Sequence, residues 1–243
     1  MSTGDNLLEL SGVHTHIGAY HILHGVDLAV PRGQVSMLLG RNGAGKTTCL
    51  RTIMGLWQAS QGSIRFAGQD ITRLHTPQIA RLNIAYVPEN MGIFADLTVK
   101  ENLLLAARAA SHAGQMDSAR LDWIYHLFPA VQKFWNHPAG KLSGGQKQMV
   151  AVARAIVEPR DLLIVDEPSK GLAPAIINNM IEAFAELKKS GVTILLVEQN
   201  LSFAQRLGEQ VAVMDNGRIV HAGSMAALAQ DEALQQSLLG LAL

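Results

Sequence analysis

The sequence predicts an α/β fold, and three observations carry that prediction. Short, continuous apolar runs at Val35 to Leu39, Ile84 to Val87, Leu162 to Val165 and Thr193 to Val197 read as buried strands of a central sheet. Between them lie patterns of helical period, as in Met149, Val150, Ala153, Ile156 and Val157, or Ile176, Ile177, Met180, Ile181, Phe184 and Leu187. A glycine-rich turn, Gly40-Arg41-Asn42-Gly43-Ala44-Gly45-Lys46-Thr47-Thr48, joins the first of these strands to a helix. At 243 residues the chain has room for one such domain with a full core, or for one that also carries a smaller subdomain.

In chain order, Leu7 to Val13 and Ile22 to Val30 are apolar, β-branched-rich runs expected as edge strands, and Pro31-Arg32-Gly33 turns the chain towards Val35. His14, His16, His21 and His24 lack regular ligand spacing and cysteine partners, so a solvated strand face is expected rather than a metal site. The Gly40 to Thr48 turn has P-loop spacing. Its glycines let the backbone wrap an anion while N–H groups and a helix N-terminus face it. Lys46 is then placed to reach phosphate oxygens, and the Thr47 hydroxyl to ligate Mg²⁺.

Ile64 to Gly68 is a short alternating strand, and Thr76-Pro77 begins a short helix with Thr76 expected as its N-cap. Pro88-Glu89-Asn90-Met91-Gly92 ends the strand at Val87. Thr98 and Glu101 form a capping box for a helix reaching about Ala110, Gly114 breaks an alanine-rich stretch, and a second helical stripe from Leu121 ends at Pro129. The region from about Ile93 to Ala139 thus reads as a helical insert in the α/β core. Leu142-Ser143-Gly144-Gly145-Gln146 is a second glycine turn. Ser143 as an N-cap explains the serine but not the paired glycines, and the turn directs N–H groups and a helix dipole outward, as an anion requires. Asp166 and Glu167 close a buried-strand run, where parallel sheets open their ligand crevice. Asp215-Asn216-Gly217 predicts a hairpin, and helix formers continue from Ser224.

Composition narrows the function. Twenty basic and twenty acidic residues cancel, which removes the electrostatic argument for nucleic acid or an anionic membrane surface. The single cysteine, Cys49, excludes an internal disulfide framework and fits a reducing compartment. No uncharged apolar run approaches the roughly 20 residues of a spanning helix, and Met1 to Asn6 lacks the features of a signal peptide.

In this order and spacing, the P-loop, the helical insert, the Leu142 to Gln146 turn and the Asp166-Glu167 strand end resemble the ATP-binding subunits of ABC transporters over nearly the whole chain. Tyr86-Val87-Pro88-Glu89, Leu97-Thr98-Val99, Ser169-Lys170-Gly171-Leu172-Ala173-Pro174 and Leu196-Val197-Glu198-Gln199-Asn200 are similar to the ATPases of branched-chain amino-acid importers. Importers of urea or short amides are a neighbouring alternative, and a soluble non-transport ABC ATPase a more distant one. The resemblance implies a single P-loop NTPase domain of ABC type spanning 1–243. It would have a mainly parallel sheet flanked by helices, an N-terminal antiparallel β region and a helical subdomain at roughly 93–157.

It further implies ATP hydrolysis coupled to transport at the cytoplasmic face of the cell membrane, with ATP and Mg²⁺ as cofactors. ATP would bind Gly40 to Thr48 and Glu89, and Mg²⁺ would bind Thr47, Asp166 and Glu89. Glu167 would polarise the attacking water, with Gln199 at the γ-phosphate. Leu142, Ser143, Gly144, Gly145 and Gln146 would close the ATP of a second ATPase subunit. Two transmembrane permease subunits and, indirectly, a solute-binding protein complete the implied partners, with no nucleic acid. Four positions depart from the family pattern. Glu89 replaces a glutamine, Gln199 a histidine and Ala173 an aspartate, and Ile17 stands where an aromatic stacks on adenine, with Tyr20 or His16 as substitutes. These departures favour a heterodimer with a different ATPase over a homodimer.

Overall fold

The computed structural model describes residues 5–110 and 116–240; Met1 to Gly4 and the expected breaker Gly114 lie outside them. Strands β1 (Asn6–Ile17) and β2 (Tyr20–Pro31) form an antiparallel hairpin whose register sets His14 opposite His24 and His16 opposite His21. Next come β3 (Val35–Leu39), α1 (Lys46–Ile53), β4 (Ala59–Phe66) and β5 (Gln69–Asp70). The first sheet has the order β2-β1-β4-β5 and is wholly antiparallel. This is the N-terminal antiparallel region that the resemblance implied.

Helix α2 (Thr76–Ala80) starts one residue earlier than expected. The Gln78 side chain accepts a hydrogen bond from the His75 N–H at 2.9 Å, so His75, not Thr76, occupies the N-cap. Strand β6 (Ile84–Val87) leads into α3 (Val99–Ala110), α4 (Ser118–Leu127), α5 (Pro129–Lys133) and α6 (Gly144–Ala155). The Thr98 box forms as read: Glu101 Oε2 accepts from the Thr98 N–H at 2.8 Å, and the Glu101 N–H donates to Thr98 Oγ1 at 3.2 Å. The chain continues through β7 (Leu162–Asp166), α7 (Pro174–Lys189), β8 (Thr193–Glu198), α8 (Leu201–Leu207), β9 (Gln210–Asp215), β10 (Arg218–Ser224), α9 (Met225–Gln230) and α10 (Glu232–Leu239).

The second sheet has the order β10-β9-β3-β8-β7-β6, parallel except for β10 at its edge. Its inner strands β3, β7 and β8 are buried at every position because each is covered on both faces. Val35, Met37 and Leu39 enter a core shared with α3 to α8, whereas Leu38, between them, enters a second core against the antiparallel sheet and α1. Strand β8 divides in the same way, Ile194 and Leu196 to one side, Leu195 and Val197 to the other. A period of two with no polar phase is what double-sided burial requires. Truncating Leu38 or Leu195 to alanine would cost about 2 to 5 kcal/mol.

The β9–β10 connection has left-handed conformations at Asn216 (φ 44°) and Gly217 (φ 73°) and pairs Asp215 with Arg218, a type I′ hairpin. Gly217 also ties the two layers together. Its C=O accepts from the His24 N–H at 2.9 Å, and its N–H donates to the Ala44 C=O at 2.8 Å. Among the described residues no helix is long and apolar enough to cross a membrane. The hairpin histidines lie side by side, His14 Nδ1 3.0 Å from His21 Nε2 and the His16 ring stacked 4.2 Å from that of His21. Desolvation, then the charges of His21 and Arg218, hold His24 below the ordinary imidazole range.

Candidate phosphate site

Strand β3 ends at a turn that only glycine allows. A Cβ on Gly40 would sit 2.3 Å from the Met214 carbonyl oxygen, and Gly45, at the N-cap of α1, has φ 107°. Gly45 offers no side-chain cap, so first-turn N–H groups of α1 remain open to an anion. Behind this turn Lys46 is only 4% exposed. Its Nζ donates to the carbonyls of Gly40 at 2.8 Å and Arg41 at 3.1 Å and lies 3.5 Å from Glu167 Oε1. The loop's own oxygens thus satisfy a buried ammonium, as burial of a charge demands.

Two strands away across the sheet, β7 delivers Asp166 and then Glu167, whose φ of 50° puts a non-glycine residue in the left-handed region at a cost of about 1 to 2 kcal/mol. Glu167 is held from several sides. Gln199 Nε2 donates to its Oε1 at 2.6 Å and also to Asn42 Oδ1 at 2.8 Å. Lys170 Nζ lies 3.2 Å from its Oε2, an ion-pair distance without hydrogen-bond alignment. Burial alone would raise the Glu167 carboxyl, but the Gln199 hydrogen bond and the nearby ammonium groups of Lys170 and Lys46 outweigh it and hold the group below its ordinary value. Asp166 is the reverse case. It is 1% exposed, neither carboxylate oxygen has a well-formed hydrogen bond, and burial pushes its pKa up to about 6 against the opposing pull of Thr47 and Lys46. An orphaned buried carboxylate beside Thr47 suits a hard cation.

A cavity of about 370 Å³ is lined by Ile22, Asn42 to Thr48, Glu89, Glu167 and Lys170; Asp166 and Gln199 lie outside that lining, Gln199 bonded to Asn42 and Glu167 of the wall. Glu89 is half-exposed and paired with Lys170 at 2.6 Å. Gly40 and Arg41 stand behind the turn, through their carbonyls on Lys46. Of the N-terminal hairpin only Ile22 lines the cavity; Ile17, Tyr20 and His16 do not, and His16 instead bonds the Ser60 hydroxyl at 3.1 Å. The second glycine turn also lies outside the lining. Ser143 and Gln146 cap α6 reciprocally, and Gly145 is required by close packing, since a Cβ there would meet Ile176 at 2.8 Å. Helix packing therefore accounts for one of the paired glycines, while Gly144 faces open space. Ala173 sits at the N-cap of α7 without capping it.

Three participants were not singled out from sequence. Lys170 carried a legible signal, its i,i+3 spacing from Glu167. Ile22 carried none. Glu198 is buried and accepts N–H bonds from Ser169 at 2.8 Å and Gln199 at 3.2 Å, fixing the two loops that present Lys170 and Gln199. Burial raises its pKa despite those bonds.

A P-loop and a buried lysine around one cavity, with a strand end that carries paired carboxylates beside it, on a parallel sheet with an antiparallel layer above, define a nucleotide-binding cassette. The family model described as "ABC transporter" matches residues 23–170. The "High-affinity branched-chain amino acid transport ATP-binding protein BraG" of Pseudomonas aeruginosa is 39% identical over 234 residues, covering 96% of this chain and 100% of BraG. The "Probable branched-chain amino acid transport ATP-binding protein LivF" of Archaeoglobus fulgidus is 34% identical over 222 residues, 91% of this chain and 93% of LivF. A solved "ATP binding subunit of ABC transporter" superposes with a TM-score of 0.80 at 30% identity, covering 96% of each chain. The chain belongs to the ABC transporter family, as an ATP-binding subunit with the family's ATPase activity.

Proposed function

We propose that this chain hydrolyses ATP to power an importer of branched-chain or related amino acids. The hydrolytic part rests on the convergence of Lys46, Glu167 and Asn42 at one cavity, with Gln199 bonded to both Glu167 and Asn42. The substrate class rests on the names of BraG and LivF. Phosphates take the open N–H groups of α1, and Lys46 exchanges its carbonyl partners for phosphate oxygens. Thr47 and Asp166, with Glu89 at the rim, hold Mg²⁺, which when bound neutralises phosphate charge. Glu167 is ionised and held by Gln199, in position to orient a water for in-line attack.

Ser143 to Gln146, outside this chain's own cavity, closes the nucleotide of a second ATPase subunit. Gln199 and Ala173 favour a different chain in that role. Two permease subunits anchor the pair at the cytoplasmic face of the membrane and receive cargo from a solute-binding protein. The core and the insert at roughly 93–157 act as one domain. Native mass measurement of the assembled transporter tests the pairing, and two copies of this chain with no second ATPase would rule out the heterodimer. For the chemistry, Glu167→Gln should retain MgATP binding while steady-state turnover falls by on the order of a hundredfold. Unchanged turnover would remove Glu167 from catalysis.

A further inference from the structure

The phosphate cavity contains a charge arrangement that nucleotide binding alone does not explain. Glu89 places a carboxylate at the rim of a site built for a polyanion, next to Asp166 and Glu167. Left alone, it would oppose the incoming phosphates. Lys170 answers it. This lysine follows Glu167 by three residues, lines the same cavity, and bridges Glu89 Oε1 at 2.6 Å and Glu167 Oε2 at 3.2 Å. The pairing with Glu89 joins positions 81 residues apart, so it is set by the fold and not by a shared loop. Its geometry is supplied from below: buried Glu198 holds the Ser169 N–H at 2.8 Å and so fixes the backbone from which Lys170 projects.

Ordinary surface ion pairs contribute little because each partner can turn to water. The Lys170–Glu89 pair is itself half-exposed, 53% and 46%, but the lysine also lies within ion-pair distance of Glu167, which is only 7% exposed. With Lys170 in place, the cavity-lining charges of Lys46, Lys170, Glu89 and Glu167 cancel; without it the lining is net negative before Asp166 is added.

We infer that Lys170 is a positioning residue that neutralises Glu89 and thereby lets the terminal phosphate of MgATP approach Glu167. This inference rests on the reading of Glu167 as the residue facing the terminal phosphate. It also makes Glu89 a departure compensated within this chain, not a defect that a partner must repair.

The test is equilibrium binding of MgATP and MgADP to the full chain and its variants by titration calorimetry, with circular dichroism to confirm folding. Lys170→Met should weaken MgATP binding roughly tenfold and MgADP binding far less, because the uncompensated Glu89 opposes the third phosphate. Lys170→Arg, which keeps the charge, should bind like the wild type. Glu89→Gln combined with Lys170→Met should recover most of the lost MgATP affinity, since both charges leave together. In steady-state assays of the assembled transporter, Lys170→Met should raise KM for MgATP more than it lowers kcat. Equal losses for MgATP and MgADP, or a double variant no better than Lys170→Met, would overturn the inference. A wild type that binds MgATP and a Lys170→Met variant that binds it equally well would reject the lysine's role alone. A wild type that binds no nucleotide would reject the functional reading with it.

Discussion

The two glycine turns of this chain resemble one another in sequence and differ in what surrounds them. Gly40 to Thr48 is enclosed: a buried lysine, two carboxylates and Asn42 line its cavity, and Gln199 bonds Asn42 and Glu167. Ser143 to Gln146 is equally well formed, with a reciprocal cap and a glycine packed on Ile176, yet none of it lines that cavity. Completeness of a local motif therefore does not imply completeness of a site. The first turn finds its partners within the chain, whereas the second presents Gly144 to open space.

That contrast can be broken or sharpened by substitution. Lys46→Ala should lower MgATP affinity on the order of a thousandfold, because it removes the buried cation of the enclosed turn. Calorimetry with the isolated chain checks this, and retained affinity would mean that the enclosure is not the binding site. Asp166→Asn should stabilise the nucleotide-free protein at pH 7 by up to about 3 kcal/mol. The unfolded chain gives up the Asp166 proton near 3.8 and the folded chain near 6, so native protein binds the extra proton between those values and loses stability as pH rises through them. Urea unfolding from pH 4 to pH 7 should show that loss in the wild type and a flatter profile in the variant. Ser143→Ala should have the smallest effect, a loss of about 1 kcal/mol from the missing cap. Nucleotide binding by the isolated chain should stay within about twofold of the wild type. A large loss of binding there would erase the distinction between the two turns.

Much of the fold was legible because its strands are buried on both sides, which leaves continuous apolar runs at Val35, Leu162 and Thr193. The hairpin at Asn216-Gly217 and the cap at Thr98 were legible because turn and cap chemistry is local. The cap of α2 was misplaced by one residue because a side chain, Gln78, decided it. The histidine cluster was unreadable since it depends on strand register, which pairs residues 16 and 21 and residues 14 and 24 across the hairpin. In the site, Lys46, Asp166 and Glu167 followed from motif spacing. The Lys170–Glu89 pair did not, because it joins a loop after β6 to one after β7, and adjacency of those strands is a property of sheet order.

Gly217 has a consequence of a different kind. One residue without a side chain ties β2 to the phosphate loop, taking the His24 amide on one side and giving its own amide to Ala44 on the other. A Cβ at that position would lie 1.9 Å from the Ile22 carbonyl oxygen and 2.8 Å from the His24 ring, so the tolerance of this seam is set first by the backbone of β2. Ile22, the hairpin's contribution to the cavity wall, is thereby kept in alignment with the turn below it. The antiparallel sheet is in this sense the upper jaw of the nucleotide cleft, and Gly217 is the pin that sets its gap.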